Sequence, residues 1–145
     1  MNTPVCYMQG SYIPLTDAGI PLNDLGLQRG YGVFDYLRVL DGVPLFLDDH
    51  IRRFFHSAAT MRMSVTESGD ELKSIIHEII RRNGLTSSGI RILLTGGSSD
   101  DGYTISVPRI AIFGQPLAAL PDTLALSGLK LMSHGFQRQI PNYCL

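Results

Sequence analysis

Cysteine is scarce in this chain: Cys6 and Cys144 are the only two in 145 residues, and they stand at opposite ends. Two thiols with no CxxC spacing cannot frame a disulfide scaffold of this size, so both are expected to be reduced. Long apolar runs are missing as well. No stretch approaches the roughly 18 residues of a membrane span, and Met1-Asn2-Thr3-Pro4 lacks the basic and apolar regions of a signal peptide. These absences predict a cytoplasmic protein that does not engage a membrane. Charge of one sign is also lacking, because 12 Lys plus Arg nearly cancel 13 Asp plus Glu. No basic field exists to condense on nucleic acid, and any phosphate must be bound locally. The four histidines, His50, His56, His77 and His134, form no HxH or HxxxH pair, so no metal site is expected.

What is present describes a globular chain. Apolar residues make up 44% and charged residues 17%, enough to close a core and too apolar for a disordered segment. Residues 4 to 15, turning at Gln9-Gly10-Ser11, read as a short hairpin. A second follows, where Phe34, Tyr36, Arg38 and Leu40 alternate with Asp35, Leu37 and Val39 before Asp41-Gly42 and the run from Val43 to Phe46. Asp-Gly between apolar runs is a strong hairpin signal, since both central residues of a type I′ turn need positive φ. This hairpin is expected to supply the central pair of the sheet.

Ile51, Phe54, Phe55, Ala58 and Met61 repeat at helical spacing after Asp48 and Asp49, which suit a helix N-terminus, so a helix is predicted near 48–62. Ser68-Gly69-Asp70-Glu71 matches a capping box. Leu72, Ile75, Ile76, Ile79 and Ile80 form the stripe behind it, and Gly84 stands where a C′ glycine belongs, predicting a helix over 69–83. Ile90–Thr95 and Pro108–Phe113 read as antiparallel strands, with Arg91 placing its charge at a sheet edge. Gln115–Thr123 reads as a linker and Leu124–Phe136 as a further extended stretch. The fold class is α+β, an antiparallel sheet flanked by two helices. Residues 1–115 form the domain, and 116–145 the linker and the start of something else.

One long segment carries chemistry. It runs Leu22-Asn23-Asp24-Leu25-Gly26-Leu27-Gln28-Arg29-Gly30-Tyr31-Gly32-Val33-Phe34-Asp35-Tyr36-Leu37-Arg38, then Asp41-Gly42, then Leu47-Asp48-Asp49-His50-Ile51-Arg52-Arg53-Phe54-Phe55-His56-Ser57-Ala58. The glycine-rich turn, the Val-Phe-acidic strand and the H-x-x-R on a helix, taken jointly, resemble the class IV aminotransferases. These are pyridoxal-phosphate (PLP) enzymes of fold type IV, among them branched-chain aminotransferase, D-amino-acid aminotransferase and 4-amino-4-deoxychorismate lyase. The resemblance covers essentially the whole chain, as the small N-terminal domain plus the start of the large PLP-binding one.

The resemblance implies a role for each matching residue. Arg53, the arginine of H-x-x-R, would bind the cofactor phosphate, for which a planar guanidinium is chemically suited. Phe34 and Arg38 would face the substrate pocket, with Tyr31 as a further pocket residue, and His50 would be structural. Gly96 stands where D-amino-acid aminotransferases carry an arginine for the substrate carboxylate, which argues against a simple D-amino-acid specificity. Arg138-Gln139-Ile140-Pro141-Asn142-Tyr143-Cys144 fits the pattern that leads to the family's Schiff-base lysine, but with Cys144 in the lysine's place. The lysines that do occur, Lys73 and Lys130, lie outside that motif. The expectation is therefore a truncated chain with no catalytic residue of its own, binding PLP weakly or not at all and inactive alone. Its intact relatives transfer the amino group of an amino acid or eliminate pyruvate, and pair as homodimers. The alternative is a non-catalytic association module that keeps the small-domain fold.

Overall fold

The computed structural model describes residues 3–117 and 122–135. The chain opens with the hairpin β1 (Val5–Met8) and β2 (Ser11–Pro14), followed by the short helix α1 (Leu25–Arg29). Then come β3 (Gly32–Leu40), β4 (Val43–Pro44) and the helices α2 (Leu47–Thr60) and α3 (Gly69–Asn83). The strands β5 (Ser87–Thr95) and β6 (Arg109–Pro116) and the helix α4 (Asp122–Ser127) complete the described residues. All six strands join one antiparallel sheet in the order β2-β1-β6-β5-β3-β4.

The α+β expectation holds. β3 and β5 pair over nine registered positions, from Gly32 opposite Thr95 to Leu40 opposite Ser87. α2 and α3 cover one face of the sheet. Their stripes, including Ile51, Phe54, Leu72, Ile76 and Ile79, bury against Leu37, Val39, Ile90, Ile92, Ile110 and Ile112. α3 has the predicted bounds, with a complete capping box between Ser68 and Glu71 and Gly84 in the left-handed conformation at its end. Asp41 and Gly42 both take positive φ, as a type I′ turn requires.

Three expectations change. The Asp41-Gly42 hairpin is not the central pair: β4 is a two-residue edge strand, and the centre belongs to β6 and β5. Sequence adjacency fixes which strands pair at a tight turn but not where that pair sits in the sheet. Arg91 lies on β5, with β3 on one side and β6 on the other, so it is an interior residue of the sheet rather than an edge one. The stretch expected to be extended from Leu124 begins as helix α4. Leu124, Ala125 and Leu126 favour helix, and Gly128, at φ 66°, stands just past its end. Residues 128–135 have no regular secondary structure, and Phe136 lies outside the described residues.

Candidate functional site

On β3 the side chains alternate between two faces. Asp35, Leu37 and Val39 are buried toward the helices, while Phe34, Arg38 and Leu40 are exposed on the opposite face, which no helix covers among the described residues. Asp35 thus occupies an apolar phase of the strand and is only 2% exposed. α2 crosses this face and brings Arg53 and His50 to it. Arg53 donates Nε to Oδ2 of Asp35 at 2.8 Å and Nη2 to Oδ1 at 2.7 Å, a bidentate grip. Nδ1 of His50 lies 2.7 Å from the same Oδ1. Since an ionised carboxylate only accepts, the contact requires the hydrogen on Nδ1.

The two adjacent arginines part company. Arg52 turns out to Asp49 on the helix surface, and Lys73 spans Asp48 and Asp70, at 2.6 and 3.4 Å. Arg53 instead bonds inward to a buried acid while its side chain stays 47% exposed. Burial pushes the Asp35 carboxyl up, but the hydrogen bonds and charges of Arg53 and His50 outweigh it and hold the group below its usual range. Arg53 is raised in turn by its bond to Asp35. Among the described residues no hydrogen bond uses Nη1 of Arg53. A fixed, half-exposed guanidinium with free N–H groups suits a phosphate dianion.

The uncovered face of the sheet forms a second cluster. Tyr36 stands opposite Arg91, and Arg38 opposite Gly89. The guanidinium of Arg91 lies 5.1 Å from the centre of the exposed Phe34 ring, and its Nε is buried without a hydrogen-bond partner among the described residues. Arg91 and Tyr36 therefore join Phe34 and Arg38 here, whereas the sequence points to Phe34, Arg38 and Tyr31 for the pocket. Tyr31 is placed differently. It is half-buried, its hydroxyl donates to the carbonyl of Met61 at 2.6 Å, and its own carbonyl accepts the Gly96 amide at 3.0 Å. It ties the glycine-rich turn to the end of α2.

The sequence shows Asp35 as the acid of the Val-Phe-acidic strand but gives it no role, although a signal for one exists: a single acid in phase with Leu37 and Val39. Cys144, expected at the lysine's place, lies outside the described residues. Among the described residues no cluster of His, Cys, Asp or Glu is arranged to hold a metal ion, and no helix is long and apolar enough to cross a membrane.

Comparison with known proteins gives a consistent result. The family profile described as amino-transferase class IV matches residues 32–142. A protein of Methanocaldococcus jannaschii assigned as a branched-chain-amino-acid aminotransferase is 33% identical over 135 residues, covering 91% of this chain and 46% of that protein. The aminodeoxychorismate lyase of Bacillus subtilis is 29% identical over 125 residues, covering 83% and 42%. The crystal structure of the Escherichia coli branched-chain amino acid aminotransferase superposes with a TM-score of 0.77 at 27% identity, covering 86% of this chain and 43% of that one. The chain thus spans less than half the length of these relatives.

Proposed function

The chain belongs to the class IV aminotransferases, and from that premise we propose that residues 1–115 form the small domain of a PLP-dependent enzyme acting on an amino acid, with 116–145 as the linker and the start of its large domain. Arg53 binds the cofactor phosphate, and the uncovered face around Phe34, Tyr36, Arg38 and Arg91 is one wall of the substrate pocket. The observation that carries this reading is the grip of buried Asp35 on Arg53, which leaves part of the guanidinium free toward solvent.

Bound PLP supplies an electron-withdrawing ring that activates the α-carbon of an amino acid. The chain's own residues bind and orient. The guanidinium of Arg53 neutralises the phosphate through charge-assisted hydrogen bonds. Phe34 offers an apolar surface to the substrate side chain, while Arg38 and Arg91 offer cations to a carboxylate. The Nε of Arg91, buried with no hydrogen-bond partner among the described residues, supports that assignment, because a buried donor calls for an acceptor. No described lysine is proposed as the catalytic amine: Lys73 is held by Asp48 and Asp70, and Lys130, like Lys73, lies outside the motif that leads to the family's Schiff-base lysine. The chain by itself binds the cofactor weakly, because tight binding needs several such contacts at once.

Comparing PLP with pyridoxal, which lacks the phosphate, tests the reading. An absorption titration should show a phosphate-dependent preference that disappears in Arg53→Leu. Equal binding of the two compounds would overturn the role of Arg53. Borohydride reduction followed by mass measurement should find no PLP adduct, and one on Lys73 or Lys130 would overturn the claim that no catalytic amine is described. The alternative, an association module, is favoured by the exposed Leu126, Leu129, Leu131 and Met132. Its test is the mass by light scattering, where a dimer supports the pairing of two copies and a monomer refutes it.

A further inference from the structure

We propose that Asp35 is a positioning residue for phosphate recognition: its buried carboxylate holds the side edge of Arg53 so that the end of the guanidinium is set for an anion before one arrives. The proposal rests on Arg53 being the phosphate's partner.

Three observations carry it. Asp35 sits where stability alone would place an aliphatic residue, between Val33 and Leu37 in sequence and opposite Ile92 on β5. A carboxylate so buried is costly, and a well-packed apolar residue is often neutral or better. Both its oxygens are engaged, Oδ2 by Nε of Arg53 and Oδ1 by Nη2, by Nδ1 of His50 and by the backbone N–H of Tyr36 at 2.7 Å. The carboxylate is thus fixed from the helix and from its own strand. Finally, the grip takes Nε and one hydrogen of Nη2; Nη2 also lies 3.2 Å from Nδ1 of His50, but that nitrogen carries the hydrogen it gives to Asp35 and cannot accept, so the other Nη2 hydrogen and both on Nη1 remain. Those at the end of the group point away from Asp35 as a second fork, matched to two phosphate oxygens. A lysine at position 53 could touch Asp35 and an anion together, but it has no planar second fork whose direction Asp35 could set.

The arrangement separates positioning from simple charge. Removing a negative charge beside an anion site strengthens anion binding if only the Coulomb term matters. Loss of positioning weakens it. The sign of the change in Asp35→Asn therefore decides between them.

The experiment is a titration of the full chain with inorganic phosphate, followed by 31P NMR and by the side-chain Nε–H signal of 15N-labelled Arg53. In the wild type, phosphate should shift the Arg53 signal. In Asp35→Asn, with the backbone spectrum still folded, affinity should fall about tenfold, the loss of roughly one charge-assisted hydrogen bond, and Asp35→Glu should recover part of it. Equal or tighter binding in Asp35→Asn overturns the positioning role while leaving Arg53 as the phosphate's partner. A wild-type chain whose Arg53 signal ignores phosphate overturns both. If Asp35→Asn does not fold, the wild type decides alone. A held guanidinium gives separate, slowly exchanging Nη signals before phosphate is added, and averaged signals overturn the proposal.

Discussion

The phenol of Tyr36 on β3 occupies the space that a side chain at position 89 on β5 would need: a Cβ built on Gly89 would overlap the Tyr36 hydroxyl and ring. Gly89 does not have positive φ, so its role is room rather than backbone freedom. Gly89→Ala should therefore cost about 1–3 kcal/mol, the usual penalty of overpacking. In a chain that also carries Tyr36→Ala, most of that penalty should vanish. Urea denaturation of the two single variants and the double measures the coupling, and additive effects would contradict this contact.

Ile76 is fully buried on the stripe of α3. Ile76→Ala should lower stability by about 2–5 kcal/mol, from lost transfer free energy and a residual cavity. A loss below about 0.5 kcal/mol in chemical denaturation, within the range of ordinary surface changes, would mean that the stripe does not carry the core.

The legibility of Ile76 contrasts with that of Asp35. Local rules act over a few residues, and they revealed the capping box at Ser68, the stripe from Leu72 to Ile80, Gly84 as terminator and the Asp41-Gly42 turn. The place of a strand in the sheet depends on partners far along the chain, such as Tyr7 of β1 opposite Ile112 of β6. That is why β4 was expected at the centre and Arg91 at an edge. The proposal of Phe34 and Arg38 for the pocket follows from alternation plus the family resemblance, and both are exposed on the face of β3 opposite the helices. The partner of Arg53 did not follow, because nothing local shows which strand α2 will cross. α1 was also missed. Its five residues are too few for a periodic signal, and its cap, Asp24, is recognisable only once Gly26 is seen to donate to it.

Acid should expose the Asp35 pair. A carboxylate held below its ordinary value of about 3.9 contributes stability that is present above that pH and is lost as pH falls through the lowered folded value. In Arg53→Ala the opposing cause, burial, loses its main counterweight and the carboxyl moves up. The acid-unfolding midpoint should therefore shift to higher pH. Glu78 is also lowered, to about 2, by Arg81 and Arg82, but it has no bond to Arg53. The difference between the two acid titrations by circular dichroism thus reports on Asp35, and coincident curves would refute the assignment.

Asp24 is the other buried acid among the described residues, at 0% exposure. Oδ1 accepts the Gly26 amide at 2.8 Å and caps α1. Oδ2 accepts the Thr95 hydroxyl at 2.9 Å, from the end of β5, and Nε of Arg109 at 3.3 Å, from the start of β6. One side chain therefore fastens the glycine-rich turn to two central strands. Asp24→Ala should cost about 3–5 kcal/mol, since it strands a largely buried cation and a buried hydroxyl together. Asp24→Asn should cost less, because its amide oxygen can still accept one of these bonds. The loss should also spread along the turn, because Tyr31 carries the acceptor of the Gly96 amide. Hydrogen exchange at Gly96 should accelerate in Asp24→Ala by more than the global destabilisation explains. Exchange that merely follows global unfolding would show that Asp24 stabilises the domain without ordering the turn.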